Sequence, residues 1–167
     1  MYRIALVNLP MADLHMPSLA LTQLQAVVRR ELGDLATVEI HYLNHDFAHY
    51  LGVPAYLELS SFEHHPTGLG EWLFRPVAFP DEPDNTVEYL GRYYPRQTPR
   101  DRRVRERVEA ARPGLAEHFD TLIDRYGLDR ADLVGFTSMF SQNLASLGMA
   151  RRPKARNPDV TVVLGGA

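Results

Sequence analysis

Asp132-Leu133-Val134-Gly135-Phe136-Thr137-Ser138-Met139-Phe140-Ser141-Gln142-Asn143 is the stretch on which the fold turns. A short apolar run ends in hydroxyl and amide side chains, and a helical pattern led by Leu144, Leu147 and Met149 follows. That is how a strand buried in a parallel sheet hands over to a helix, leaving a polar loop at its carboxyl end. In open α/β sheets ligands sit in the crevice beyond those ends. The rest of the chain reads as arranged around this loop.

Upstream, Ile4 to Val7 is apolar without alternation and predicts a central strand ended by Asn8-Leu9-Pro10. Pro17-Ser18 then opens a helix whose apolar positions run from Leu19 to Leu32, with Gly33 as its stop. Pro17 is read as the first helical residue, where a missing N–H costs nothing. Val38 to Leu43 alternates and fits a second strand, completing a βαβ unit expected to be right-handed. Downstream, Asn157-Pro158-Asp159 is turn chemistry, and Val160 to Leu164 is a fourth strand. Pro153 conflicts with the helix before it and predicts a shortened or bent one.

Between second and third strands lies a long interruption, residues 44–129, holding most of the prolines and aromatics. Its Gly68-Leu69-Gly70-Glu71-Trp72-Leu73-Phe74-Arg75-Pro76 is apolar and poorly periodic. From Val104 to Tyr126 the spacing becomes helical, with Pro113-Gly114 expected to divide it and Tyr126-Gly127-Leu128 to end it. The segment reads as a mainly helical insertion on a flavodoxin-like α/β core.

Composition narrows the function classes. With 167 residues the chain can bury one real core. A net charge of −3 gives no general reason to expect nucleic acid. Cys is absent, so disulfides, thiolate metal sites and iron–sulfur ligation are impossible within the chain. The amino terminus is too short an apolar run for a signal peptide or a membrane span, which suggests a soluble cytoplasmic protein. Thr161-Val162-Val163-Leu164-Gly165-Gly166-Ala167 is a strand and glycine pair that normally lead into another helix. The chain therefore reads as a fragment of a longer protein, truncated after its fourth strand. An exposed sheet edge left by that loss is a route to dimerisation.

Three strands end in small or polar residues: Asn8-Leu9-Pro10, Thr137-Ser138-Met139-Phe140-Ser141-Gln142, and Gly165-Gly166. In flavodoxin-like strand order these tips meet on one rim, and the glycines allow a bulky ligand close to the backbone. Helix caps and a simple turn are the alternative reading of the same residues. No Gly-x-Gly-x-x-Gly follows the first strand and no Walker A loop exists, which argues against dinucleotides and nucleoside triphosphates. No residue is an obvious acid, base or nucleophile.

Five stretches carry a resemblance to a known family. Ile4-Ala5-Leu6-Val7-Asn8-Leu9-Pro10 with Pro17-Ser18-Leu19-Ala20-Leu21-Thr22-Gln23-Leu24 resembles the opening of cobalamin-dependent radical S-adenosylmethionine enzymes. Ile40-His41-Tyr42-Leu43-Asn44-His45-Asp46-Phe47, Gly68 to Arg75, and Val134 to Asn143 are similar to the branch that C-methylates ribosomally made peptides. The resemblance implies an amino-terminal cobalamin-binding domain. In the longer enzyme it also implies a 4Fe-4S cluster, S-adenosylmethionine and a precursor peptide, with the cluster's cysteines beyond Ala167. Carried over by residue, Thr137, Ser138, Met139, Phe140, Ser141 and Gln142 run beneath the corrin ring. Gly165 and Gly166 line the slot for the nucleotide tail, and Asn8, Leu9 and Pro10 form the opposite wall. Phe140 or Met139 is then the cover of cobalt's lower face, with hydroxyls and amides bonding the corrin's arms.

Histidines bear on the metal. Cobalamin domains that ligate cobalt through histidine carry Asp-x-His-x-x-Gly; here Asp13 and His15 match but Ser18 replaces the glycine. The resemblance therefore implies a lower axial position on cobalt without a protein histidine. His41, His45 and His49 recur at spacings of four with Asp46 nearby, but His41 falls in a strand, which breaks a shared zinc-binding face. Trp72 is read as insertion core, and Arg100 to Arg107 as a solvated helix face. A peptide-interaction or structural module, or a flavin or nucleotide binder on the same fold, is the alternative function.

Overall fold

Strands β1 (Tyr2–Asn8), β2 (Ala36–Tyr42), β3 (Leu133–Thr137) and β4 (Thr161–Gly165) form one sheet in the order β2-β1-β3-β4. Every neighbouring pair is parallel. This computed structural model describes Met1–Gly166; Ala167 lies outside the described residues. The chain is α/β with the flavodoxin-like strand order that its apolar runs predict.

Alternation along the strands divides the core between two faces. Ile4, Leu6, Val38 and Ile40 meet helix α1 (Leu19–Leu32) through Leu21 and Val28. Ala5, Val7, Val134 and Phe136 face the other way, into the larger cluster. Helix α1 is capped by Ser18, whose hydroxyl accepts from the Leu21 N–H, and it ends at Gly33 with a φ of 49°. Pro17 therefore lies outside the cap, two positions before the first helical residue, Leu19, and not at that residue as expected. Gly135 allows Leu6 and Val163 to close over the sheet, since a Cβ there would meet Leu6 at 3.1 Å.

The stretch between β2 and β3 is helical, as expected: α2 (Leu43–Leu51), α3 (Val53–Leu59), α4 (Leu69–Ala78), α5 (Thr86–Tyr93), α6 (Pro99–Ala111) and α7 (Leu115–Tyr126). Helix α4 buries Leu69, Trp72, Leu73, Phe74, Val77 and Ala78 and keeps its two charged residues, Glu71 and Arg75, one turn apart on a narrow polar face. Trp72 belongs to the core, stacked on Tyr89 at 4.1 Å, and the Arg112 guanidinium lies over its ring at 3.9 Å. Arg112-Pro113-Gly114 forms the short turn that separates α6 from α7, and Gly127 ends α7 in the left-handed region. Helix α8 (Asn143–Arg156) corrects one expectation. It runs three residues past a buried Pro153, so the expected shortening does not occur. Gly148 of α8 sits against the Val77 backbone of α4, where a Cβ would lie 3.0 Å from the carbonyl carbon.

Strand β4 is an edge strand, and Val163 and Leu164 are 44% and 49% exposed. Among the described residues no helix is long and apolar enough to cross a membrane.

Three imidazoles make the fold acid-sensitive. Burial holds His41, His64 and His118 below the ordinary histidine range, because the charged form loses its water. Unfolded, they titrate near 6.5 and take up protons that the folded chain refuses. Stability from these groups is complete above that pH and is lost on acidification. Melting temperature is expected to fall between about pH 7.5 and about pH 5.5, and His118→Phe is expected to lessen the fall. An equal fall in wild type and variant contradicts the assignment of His118.

Candidate functional site

The tips of three strands are tied to one another. The Thr137 hydroxyl accepts from the Leu9 N–H at 3.0 Å and donates to the Asn8 side-chain oxygen Oδ1 at 3.4 Å. Gln142 donates its amide N–H to the Leu9 carbonyl at 2.6 Å and accepts from the Met139 N–H at 3.1 Å. Ser138 donates its N–H to the Gly165 carbonyl at 2.7 Å, joining the third tip. Leu9 is fully buried, so without these partners its backbone groups would each cost about 1–3 kcal/mol.

Beside the tie is a cleft of about 410 Å³, within the size range of small-molecule and cofactor sites. Asn8, Thr137, Met139, Phe140, Gln142 and Gly166, all predicted from sequence, line it. The other five predicted residues are close by but are not in its wall. Leu9 and Pro10 are buried, and Ser138, Ser141 and Gly165 lie along the same loops. The structure thus gathers the predicted loops on one rim, while Thr137 and Gln142 direct most of their polar atoms to the backbone of the loops. Asn8, whose oxygen accepts from Thr137, has its amide Nδ2 to offer a ligand.

The rest of the wall was not legible in the sequence. Met11, Leu14 and Met16 come from the loop after β1, and Tyr56, Leu57, Phe62 and His65 come from the insertion. Phe62, Phe140 and Met16 are 81%, 74% and 71% exposed, a concentration of large apolar side chains around one opening. Tyr56 donates its hydroxyl to the Ala12 carbonyl at 2.7 Å, and Asn44 donates to the Asp13 carbonyl at 3.0 Å. Helices α2 and α3 thereby hold the loop after β1.

Helix α4 holds the other loop. Glu71 accepts from the backbone N–H groups of Asn143 at 3.1 Å and Leu144 at 2.7 Å, and from the Asn143 amide at 2.9 Å. Its carboxylate therefore caps α8 from a different helix, where negative charge is favoured. Gly70, next to it, leaves room for Ser141; a Cβ at Gly70 would lie 2.5 Å from the Ser141 Cβ. Ser141 and Met11 both have positive φ, 61° and 73°, and both press on Gly70. Backbone strain of this kind clusters where loops are held for a task. The Gly68-Leu69-Gly70-Glu71 stretch is thus a clamp on the loop beyond β3.

Other sequence candidates fall elsewhere. His15 lies 3.5 Å from the Asp13 carboxylate, with 79% of its side chain exposed, outside the cleft wall. Among the described residues no three His, Asp or Glu side chains gather to hold a metal ion, so His41, His45 and His49 form no such site. The arginine run is less solvated than its composition suggests. Arg103 and Arg107 pair with Glu58, Arg100 pairs with Glu63, and Arg105 donates to the Tyr94 carbonyl. Comparison with known protein families, curated proteins and solved structures returns no match.

The clamp has a measurable consequence. Glu71→Ala leaves two N–H groups at the start of α8 without their acceptor and is expected to cost about 1–2 kcal/mol in chemical denaturation. Gly70→Ala is expected to destabilise as well, by displacing Ser141. Unchanged denaturation midpoints in both variants contradict the clamp.

Proposed function

We propose that this chain is a cobalamin-binding domain, serving a cytoplasmic radical S-adenosylmethionine enzyme that C-methylates a ribosomally made peptide. The observation that supports this reading is the meeting of three strand tips beside one broad apolar cleft, where parallel α/β sheets receive ligands. The family resemblance of the strand-tip sequences points to the same ligand.

The residues present fit such a group. A corrin is flat and apolar on its faces, with amide arms at its edge. Phe140, Met139 and Phe62 are exposed apolar surfaces of the kind a flat face covers. At Gly165 a side chain would meet open space, so the tip of β4 leaves room for a bulky neighbour. Asn8 supplies an amide donor at the floor. When bound, cobalamin supplies methyl-transfer chemistry. The chain's own part is to bind and orient it, with the clamp of Gly70 and Glu71 fixing the loop that carries Met139 and Phe140. The chain has no cysteine, so in this proposal the 4Fe-4S cluster and S-adenosylmethionine are held elsewhere in a longer polypeptide.

A second reading, a peptide-interaction module, is favoured by one observation: Met16 and Phe62, 71% and 81% exposed, carry the apolar wall of the cleft beyond the strand tips. Titration with hydroxocobalamin separates the two. A saturable change in the visible spectrum is expected, with affinity falling at least about tenfold, or 1.4 kcal/mol, in Phe140→Asp. No spectral change, and no cobalamin travelling with the protein through gel filtration, contradict the cofactor reading and leave the module.

A further inference from the structure

We propose that the amino end of α1 and the Asn8 amide form a subsite of the cleft for a singly charged phosphate, filled by the phosphodiester of cobalamin's nucleotide tail; the inference rests on the cobalamin reading. Ser18 and Ala20, the cap of α1 and its second residue, line the same cleft as Asn8 and Gly166. A helix leaves its first N–H groups without intrahelical partners, and their partial positive charge receives anions. Here the Ser18 hydroxyl takes only the Leu21 N–H, at 3.3 Å. The N–H groups of Leu19 and Ala20 find no acceptor among the described residues. No acidic side chain stands in the first turn of α1, although negative charge is favoured there.

Asn8 points to a ligand independently. It is 4% exposed at the tip of β1, and its Oδ1 accepts from the Thr137 hydroxyl. Its Nδ2 has no acceptor among the described residues and borders the cleft. A buried amide donor without a partner is costly, and a ligand oxygen relieves that cost. The charge of the wall selects the kind of anion. No Lys or Arg lines the cleft, and its one carboxylate, Asp13, accepts from the His15 N–H at 2.6 Å. A helix end presents roughly half a positive charge. That suits the single charge of a phosphodiester better than the roughly 1.5–2 charges of a phosphate monoester.

Visible-spectrum titrations of the whole chain in phosphate-free buffer test the assignment, with hydroxocobalamin and with cobinamide, which lacks the nucleotide tail. Two variants isolate the phosphate. Ala20→Glu adds a carboxylate to the first turn, where it favours the helix, so lost binding is not unfolding. Asn8→Asp keeps the acceptor for Thr137 and replaces the free donor by an anion. Each is expected to weaken cobalamin at least about tenfold and cobinamide less than about threefold. Equal weakening of both ligands, or of neither, overturns the phosphate subsite and leaves the cofactor reading intact. Selective weakening in Asn8→Asp but not in Ala20→Glu overturns it as well, since the helix end then holds no anion. Failure of the unaltered protein to bind cobalamin overturns the cofactor reading and this inference with it. Flavin mononucleotide bound instead, and lost in Ala20→Glu, assigns the helix end to a different phosphate.

Discussion

The Thr137 hydroxyl and the Gln142 amide between them satisfy the backbone of Leu9 and hold the tips of β1 and β3 in register. Everything that resembles a site depends on this tie. Leu9 is buried, so its N–H and C=O cannot turn to water if the partners go. The same two side chains set the position of Asn8 on one side and of Met139 on the other. A parallel sheet supplies the crevice in general; this particular tie decides how wide it is and what faces it. Residues that look from their chemistry like ligand contacts thus act chiefly as the frame of the cleft.

The insertion completes that frame. Helices α2 and α3 hold the loop after β1 through Asn44 and Tyr56, while α4 caps α8 through Glu71. Its 3-10 segment adds Phe62 and His65 to the wall. The cleft therefore lies between the sheet's carboxyl ends and the helical layer, with both contributing side chains. Gly70 concentrates the arrangement at one point, since Met11 from one loop and Ser141 from the other both approach it closely.

Much of the fold was legible because local rules and tertiary packing agree. Uninterrupted apolar runs at Ile4 to Val7 and Leu133 to Thr137 fit strands buried on both faces, and Ser18 and Gly33 delimit α1 as caps should. Legibility failed where burial or distance overrides local pattern. Helix α4 is short, contains Pro76 and has only Glu71 and Arg75 for a polar face, so little in its sequence marks it. Helices α3 and α5 are too short for periodicity to register, with seven and eight residues. At the site, the strand-tip loops were visible as polar endings, but their internal bonding was not. Glu71 reaches Asn143 across 72 positions, and His65 reaches Phe140 from a separate element. Neither contact has a local sequence signal.

The central claim is that strand tips and insertion form one ligand-receiving cleft. Hydrogen–deuterium exchange with and without hydroxocobalamin tests it most directly, since it reports where along the chain the ligand acts. Slowed exchange together in residues 9–16, 56–65 and 138–143 is the predicted result. Slowed exchange confined to β4 and α1, or to none of these segments while cobalamin is bound, contradicts it.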